Sequence, residues 1–405
     1  MPVLTNISNL AVCRPGSQDD NGVISNPALA YDERVRWVGP WAELPAEFTS
    51  WPREDAGHRL VVPGLVDCHT HLAFGGWRAD EFALRARGAT YQDIAAKGGG
   101  IVSTVARTRG LDRDALLARA RGFLNGMAAL GVTTVECKSG YGLERDTEIR
   151  QLEVYQRLAE QGPQRIVPTL LAAHVVPAEY RERRDEYVSL VIDTIIPEAA
   201  RGGLARFCDA FVEEGAFSVE EARRILRAGL EHGLRPKLHA DQLSASGGSE
   251  LAGELGAASA DHLEYITEAG IHALKAAGTV AVSLPLATLY LRQPAMPARR
   301  LLDAGVPVAV ATDFNPGSAP SYHLPLALML ACTLQRMTPA EALSGASWVA
   351  ARAIGVESEC GSLEAGKAAD FAVIDAPDVN QWLYHFRPNA CVRTVAAGRT
   401  IWEAP

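Results

Sequence analysis

The sequence has no CxxC pair, no long hydrophobic run and no excess of positive charge. Its seven cysteines are scattered along the chain, which is typical of reduced thiols rather than of a disulfide framework. No segment is apolar enough to cross a bilayer, and no basic stretch followed by an apolar one begins the chain. A net charge of −9 argues against nucleic acid or an anionic membrane as a partner. We therefore expect a cytoplasmic protein.

Internal repeats and low-complexity segments are also missing. Hydrophobic residues make up 48% of the chain and charged residues 21%, which is typical of a globular protein with a sizeable core. A chain of 405 residues exceeds the size at which one core stops growing. A large barrel-type domain with a smaller companion is the expected organisation.

The two ends of the chain share a pattern of short apolar runs separated by turn residues. Residues 28–32 and 371–375 are examples, and such runs are typical of small antiparallel strands. We predict that residues 1–63 and 365–405 together form one small β-sandwich domain.

The central part of the chain alternates short β-branched runs with longer stretches of helical period. Eight runs are strand candidates, and eight is the number that a closed barrel requires. They are residues 64–68, 132–137, 166–171, 207–212, 235–238, 258–261, 279–283 and 306–311. The pattern predicts an α/β fold, a (β/α)8 TIM-type barrel over residues 64–364.

Histidines and one aspartate follow these candidate strands. His69 and His71 are one residue apart at a strand end, so their side chains point to the same side. Alone, this pair is equally consistent with two ordinary histidines, but His239, His262 and Asp313 also end later strands, where barrels build active sites. Histidine and carboxylate ligands suit zinc or iron and can leave one position open for water. The set predicts a catalytic metal site.

The segment Gly64-Leu-Val-Asp-Cys-His-Thr-His, the later histidines and Thr312-Asp313 resemble the amidohydrolase superfamily over nearly the whole chain. The resemblance implies that a divalent metal, Zn²⁺ or Fe²⁺/Fe³⁺, is held by His69, His71, His239 and Asp313. It implies that His262 lies close to the metal and polarises the substrate.

Many members of that superfamily bridge two metals with a carboxylated lysine after the fourth strand. Residues 206–214 contain no lysine, so one metal per chain is expected. Glu213 or Lys138 could belong to a second site, although an ion pair or a hydrogen bond is the simpler interpretation of each.

Further motifs resemble the imidazolonepropionase family. They are Phe74-Gly-Gly-Trp-Arg, Glu81-Phe, Arg85, Tyr91-Gln-Asp-Ile, the segment 98–109, Glu136-Cys-Lys-Ser-Gly-Tyr-Gly, Ala172-Ala-His-Val-Val-Pro, His239-Ala-Asp-Gln and Asp313-Phe-Asn-Pro-Gly-Ser. The resemblance implies hydrolytic opening of the ring of 4-imidazolone-5-propanoate, giving N-formimidoyl-L-glutamate, a step of histidine degradation. It implies substrate or product contacts from Arg78, Tyr141, His174, Gln242, Asn315, Gly317 and Ser318, and a homodimer.

These residue types suit a cyclic amide that carries a propanoate tail. Arg78 offers a two-pronged cation for the carboxylate, and Tyr141 and Asn315 offer hydrogen bonds. Metal-activated water would attack the ring carbonyl. By the resemblance, Asp313 would transfer the proton, His262 would stabilise the oxyanion and His174 would hold the ring.

Tyr91 could also line the site, but packing is an equally good interpretation. We assign Gln242 to binding, because an amide is not an ordinary proton-transfer group.

Two other functions are compatible with the sequence. A mononuclear deaminase of a nucleobase-like ring would use the same histidines and aspartate, although Arg78 and the loop after Asp313 favour a carboxylated substrate. A non-catalytic assembly protein could keep the barrel without the chemistry, but a scaffold needs no open metal position.

Overall fold

Two β-sheets organise the chain. A computed structural model describes residues 1–17, 20–89 and 99–405, so the predicted motif Tyr91-Gln-Asp-Ile and Gly98 lie outside the described residues. One sheet has seven strands and contains both chain ends, and the other has eight strands and contains the centre of the chain. None of the described helices has the length and hydrophobicity needed to span a bilayer.

The seven-stranded sheet joins the two ends of the chain. Its strands are β1 (Val3–Leu10), β2 (Pro27–Tyr31), β3 (Val35–Pro40), β4 (Arg53–Pro63), β13 (Phe371–Ile374), β14 (Cys391–Ala396) and β15 (Arg399–Glu403). The order is β15-β14-β13-β4-β1-β2-β3, and every neighbouring pair is antiparallel except β1 with β4. Leu4, Leu29, Val61, Phe371 and Val395 share one buried cluster, so both chain ends contribute to a single core.

The eight-stranded sheet is the predicted parallel barrel. Its strands are β5 (Leu65–Asp67), β6 (Val132–Lys138), β7 (Arg165–Ala173), β8 (Phe207–Val212), β9 (Arg235–Ala240), β10 (Ser259–His262), β11 (Val280–Ser283) and β12 (Val308–Val310). All neighbouring strands are parallel, and all eight candidates from the sequence are confirmed with small differences at their ends. The domain boundaries at residues 63/64 and 364/365 stay a prediction.

The ring of strands closes just beyond the ends of β5 and β12. There the Asp313 N–H donates to the His69 carbonyl at 3.0 Å, and the His71 N–H donates to the Phe314 carbonyl at 2.9 Å. The side chain of Asp67 accepts from the Thr312 hydroxyl at 2.6 Å and from the Thr312 N–H at 3.1 Å. The predicted metal-binding segments are therefore also the seam of the barrel.

Helices connect the strands and pack around the barrel. They are α1 (Ala79–Ala86), α2 (Ile101–Arg109), α3 (Arg113–Ala128), α4 (Arg145–Gln161), α5 (Arg184–Leu190), α6 (Ile196–Arg201), α7 (Val219–Glu231), α8 (Gly248–Glu254), α9 (Glu268–Ala277), α10 (Pro285–Leu291), α11 (Ala298–Ala304), α12 (Leu324–Gln335), α13 (Pro339–Gly345), α14 (Trp348–Ala353) and α15 (Val379–Tyr384).

Helix α7 shows how the sequence specifies these helices. Ser218 and Glu221 form a reciprocal capping box that satisfies the first free N–H groups. Ala222, Ile225 and Gly229 recur at helical spacing and are buried. A Cβ at Gly229 would lie 2.8 Å from the Cys208 Cβ, so the missing side chain lets α7 approach β8 closely.

Candidate metal centre and substrate pocket

The structure brings the four predicted metal ligands together at the carboxyl ends of the barrel strands. Asp313 Oδ1 lies 3.4 Å from His69 Nε2 and 3.5 Å from His71 Nε2. The Nε2 atoms of His71 and His239 are 3.4 Å apart. All four side chains are buried, so three imidazoles and one carboxylate converge on one small volume.

The backbone at this cluster is conformationally unusual. Asp313 has φ of +55° and His262 has φ of +81°, in the left-handed region that side chains other than glycine rarely adopt. Such conformations cost free energy and are retained where the surrounding structure imposes them, often at functional sites. At Asp313 and His262 these backbone conformations direct the side chains into the cavity at the barrel mouth.

These residues fit a divalent metal. His69 Nε2 is buried and has no hydrogen-bond partner among the described residues. Burial lowers the pKa of His71 and the pKa of His239, which keeps both imidazoles neutral and able to donate a lone pair. Neutral imidazoles with one carboxylate are ligands that zinc and iron accept.

Two aspartates that the sequence analysis missed orient the imidazoles. Asp261 Oδ2 accepts from His69 Nδ1 at 2.6 Å, and Asp209 Oδ1 accepts from His239 Nδ1 at 3.2 Å. Each bond places the proton on Nδ1 and turns the Nε2 lone pair towards the cluster. The available signal was a carboxylate in the middle of an apolar barrel strand, at Asp209 in β8 and Asp261 in β10.

Two lysines lie beneath these aspartates inside the barrel. Lys138 Nζ contacts Asp209 Oδ2 at 2.8 Å, Glu136 Oε1 at 2.9 Å and Asp261 Oδ2 at 3.5 Å. Lys237 Nζ lies 3.2 Å from Glu136 Oε1. Burial alone would lower the pKa of Lys138, but the surrounding carboxylates outweigh it and raise that pKa, so Lys138 stays charged.

The residues considered for a second metal are engaged elsewhere. Lys138 is held in the carboxylate network, and Glu213 Oε2 accepts from the Leu243 N–H at 2.8 Å, which organises the loop after β9. From β8, Phe211 lines the cavity above the cluster, where no lysine is available.

A cavity of about 540 Å³ opens beside the cluster of predicted metal ligands. All residues predicted to bind substrate line it, namely Arg78, Tyr141, His174, Gln242, Asn315, Gly317 and Ser318. His262 and Asp313 line the same cavity. Every predicted site residue except the buried His69 therefore lines this one cavity.

Neutral polar groups surround the floor of the cavity. His174 Nδ1 donates to the Gly140 carbonyl at 3.0 Å, and its ring stacks on His71 at 5.2 Å. Burial lowers the pKa of His174 to about 3, so its Nε2 keeps a free lone pair. Burial also raises the pKa of the Tyr141 hydroxyl, which therefore stays protonated and able to donate.

The Asn315 side chain organises the loop after β12. Its Nδ2 donates to the Asp313 carbonyl at 2.7 Å and to Ser318 Oγ at 2.8 Å. Its Oδ1 accepts from the N–H groups of Gly317 at 2.7 Å and Ser318 at 2.8 Å. All the hydrogen-bonding positions of this amide are thus used within the loop.

Arg78 also lines the cavity, and its guanidinium is already paired with Glu81. Its Nε and Nη2 atoms donate to Glu81 Oε2 at 2.8 and 2.7 Å, and both side chains are more than nine-tenths buried. A Cβ at Gly317 would lie 2.4 Å from Arg78 Nη1, so the glycine makes room for the guanidinium. The sequence analysis included Glu81 in the family motif but gave it no role, although its i, i+3 spacing from Arg78 was a usable signal.

Residues 60–401 match the model of the amidohydrolase family. An imidazolonepropionase of Cupriavidus pinatubonensis is 47% identical over 95% of this chain and 91% of that protein. An imidazolonepropionase of Shewanella sp. (strain ANA-3) is 45% identical over 98% of both chains. The chain belongs to the imidazolonepropionase family. Another relative with this name, from Geobacillus thermodenitrificans, is 46% identical over 90% of this chain and 87% of that protein.

Solved structures of other amidohydrolases share the fold. E. coli guanine deaminase superposes with a TM-score of 0.75 at 16% identity over 100% of this chain and 99% of that chain. A triazine hydrolase variant superposes with a TM-score of 0.74 at 19% identity, over 99% of this chain and 94% of that chain. At such identities the likeness concerns the barrel and its companion sheet alone. Membership of the imidazolonepropionase family makes the chain a hydrolytic enzyme, so the interpretation as a scaffold is not retained.

Proposed function

We propose that the chain hydrolyses 4-imidazolone-5-propanoate to N-formimidoyl-L-glutamate. The observation that carries this proposal is that one cavity is bordered both by the predicted metal ligands and by a buried arginine. The cluster of His69, His71, His239 and Asp313 borders this cavity, and Arg78 lines it as well. A reactive ring placed over the cluster would leave its carboxylate tail facing the cation.

We infer one divalent metal per chain, zinc or iron, held by His69, His71, His239 and Asp313. When bound, such a metal acidifies water and polarises a carbonyl group. The burial of His69 Nε2 beside Asp313 Oδ1 supports this assignment, as does the orientation of His69 and His239 by carboxylates.

Asp313 is suited to move the proton of the reaction. Its Oδ1 faces the imidazoles of His69 and His71, while Oδ2 lies 3.4 Å from Ser318 Oγ on the cavity side. It takes a proton from water as the water oxygen bonds to the ring carbonyl carbon. It returns this proton to the ring nitrogen as the C–N bond breaks, so the proton count balances.

Two histidines complete the chemistry proposed for the pocket. Burial lowers the pKa of His262 to about 4, so it acts as a neutral hydrogen-bond donor to the developing oxyanion. His174 Nε2 accepts a hydrogen bond from the ring, and Tyr141 and Gln242 complete the polar surface around it.

The direct test is turnover by purified protein of measured metal content. Freshly prepared 4-imidazolone-5-propanoate should lose its absorbance, and mass spectrometry should identify N-formimidoyl-L-glutamate. Survival of the ring with about one metal per chain would refute the substrate assignment. Release of ammonia from an aromatic amine would instead support the rival nucleobase-type deaminase.

The cytoplasmic location and the homodimer stay predictions. Light scattering on the purified chain at several concentrations tests the homodimer, and a monomeric mass throughout would contradict it.

A further inference from the structure

Because Arg78 is paired with Glu81, it attracts the carboxylate tail of the substrate less strongly than an unpaired arginine would. Glu81 Oε2 occupies two of the donors of Arg78, and Glu81 Oε1 also accepts from the Gly100 N–H at 2.8 Å. The pair is buried and carries no net charge, so it offers a hydrogen-bond donor at Nη1 but little net attraction for an anion. Glu214 adds negative charge to the same cavity.

A second arginine lines this cavity. Arg85 lies on α1 four residues after Glu81, which places these two side chains one turn apart on the same face, and Arg78 immediately precedes the helix. Its side chain is half-buried, and its guanidinium carbon lies 5.9 Å from the centre of the Tyr290 ring. Tyr290 in turn stacks on Phe82 at 6.0 Å, so aromatic groups support the arginine from one side.

We infer that Arg85 is a second, specificity-determining cation that binds the carboxylate of the substrate together with the remaining donor of Arg78. This inference rests on the proposed function. Arg78 fixes the direction of the tail through Nη1, which lies beside Gly317, and Arg85 supplies the net positive charge. Glu81 is then a positioning residue that keeps the Arg78 guanidinium in its place.

The experiment compares two substrates and three proteins. The substrates are 4-imidazolone-5-propanoate and its neutral analogue, in which the carboxylate is a primary amide. The proteins are the unaltered chain, Arg85→Met and Arg87→Met. Methionine keeps the length and apolar stem of arginine without its charge. Arg87 is a matched control because it is exposed and directly follows the same helix.

We expect Arg85→Met to lower kcat/KM for the carboxylate substrate about 10- to 100-fold, mainly through KM, since it removes one charge-assisted contact. Turnover of the neutral analogue should change little, so the preference for the carboxylate collapses. Arg85→Lys should retain part of the preference, and Arg87→Met should retain all of it.

Two results would overturn the inference in distinguishable ways. If Arg85→Met keeps the preference of the unaltered chain, Arg85 does not bind the tail although the proposed function stands. If the unaltered chain opens neither ring, the proposed function itself fails and the inference fails with it. Metal content and circular dichroism of each variant show whether an effect comes from loss of folding.

Discussion

At the scale of single residues, the carboxylate of Asp261 fixes the orientation and the tautomer of the His69 imidazole. His69 Nδ1 donates to its carboxylate at 2.6 Å, which makes the opposite nitrogen a stronger ligand. The substitution Asp261→Asn removes the charge while preserving the shape, and we expect metal affinity to fall about 10- to 100-fold. Competition with a chromophoric chelator measures the affinity.

The control for this prediction is Asp303→Asn. The Asp303 side chain is 64% exposed and pairs with Arg299 on a helix surface, so its loss should leave metal affinity unchanged. Equal affinities for the Asp261 variant and the unaltered chain would contradict the role given to Asp261.

Gly317 has a steric role that one methyl group can test. Its φ lies outside the left-handed region, but a Cβ there would meet Arg78 Nη1 at 2.4 Å and displace the guanidinium. Since misplaced binding groups are costly, we expect Gly317→Ala to lower kcat/KM roughly tenfold or more. Gly122→Ala in α3, where nothing lies within 4 Å of the new Cβ, is the matched control and should turn over normally.

At the scale of elements, one side-chain pair reinforces the backbone hydrogen bonds that close the seam between β5 and β12. Thr312 donates to Asp67 from its hydroxyl and its N–H, and burial raises the pKa of Asp67 to about 7. We expect Thr312→Val to destabilise the fold by about 1–3 kcal/mol, because it leaves a buried carboxyl oxygen without its donor. Denaturant unfolding measures the change.

Thr333→Val is the control variant for Thr312→Val. Thr333 is exposed on α12 and donates only within its own helix, to Met329 and Leu330, so its replacement should cost little. Similar losses for the two variants would show that the Thr312 contact does not stabilise the seam.

The elements themselves could largely be predicted from the sequence. The barrel strands are short β-branched runs between helical stretches, and His239 and Asp313 lie at or just beyond the carboxyl ends of such runs. Local patterns do not reveal partners that are distant in sequence, such as His69 with Asp261, because the register of the closed barrel decides which side chains meet. The motif likewise did not show that the Asn315 side chain uses its hydrogen bonds within its own loop.

At the scale of the whole molecule, buried ionisable groups make stability depend on pH. Burial raises the pKa of Glu264 from 4.5 to about 8, so the folded chain keeps this proton where the unfolded chain has lost it. The stabilisation associated with Glu264 is therefore complete below about pH 4.5 and is lost as the pH rises towards 8.

The variant Glu264→Gln tests this dependence. Relative to the unaltered chain, it should gain stability steadily between pH 5 and pH 8, with the metal removed from both proteins by chelation. Denaturation midpoints at several pH values give the difference. A difference that does not change with pH would show that Glu264 titrates normally.

The two segments that form the seam of the barrel lie far apart in the sequence, so they emerge from the ribosome at very different times. His69 and Asp313 are 244 residues apart, and the backbone bonds that close the ring lie within the same segments as the ligands. A nascent chain on the ribosome therefore lacks a complete ligand set until the last barrel strand has emerged. Products of premature termination before Asp313 retain the proposed histidine ligands but lack the proposed carboxylate ligand. The proposed set is therefore complete only in chains whose translation has passed the end of the barrel.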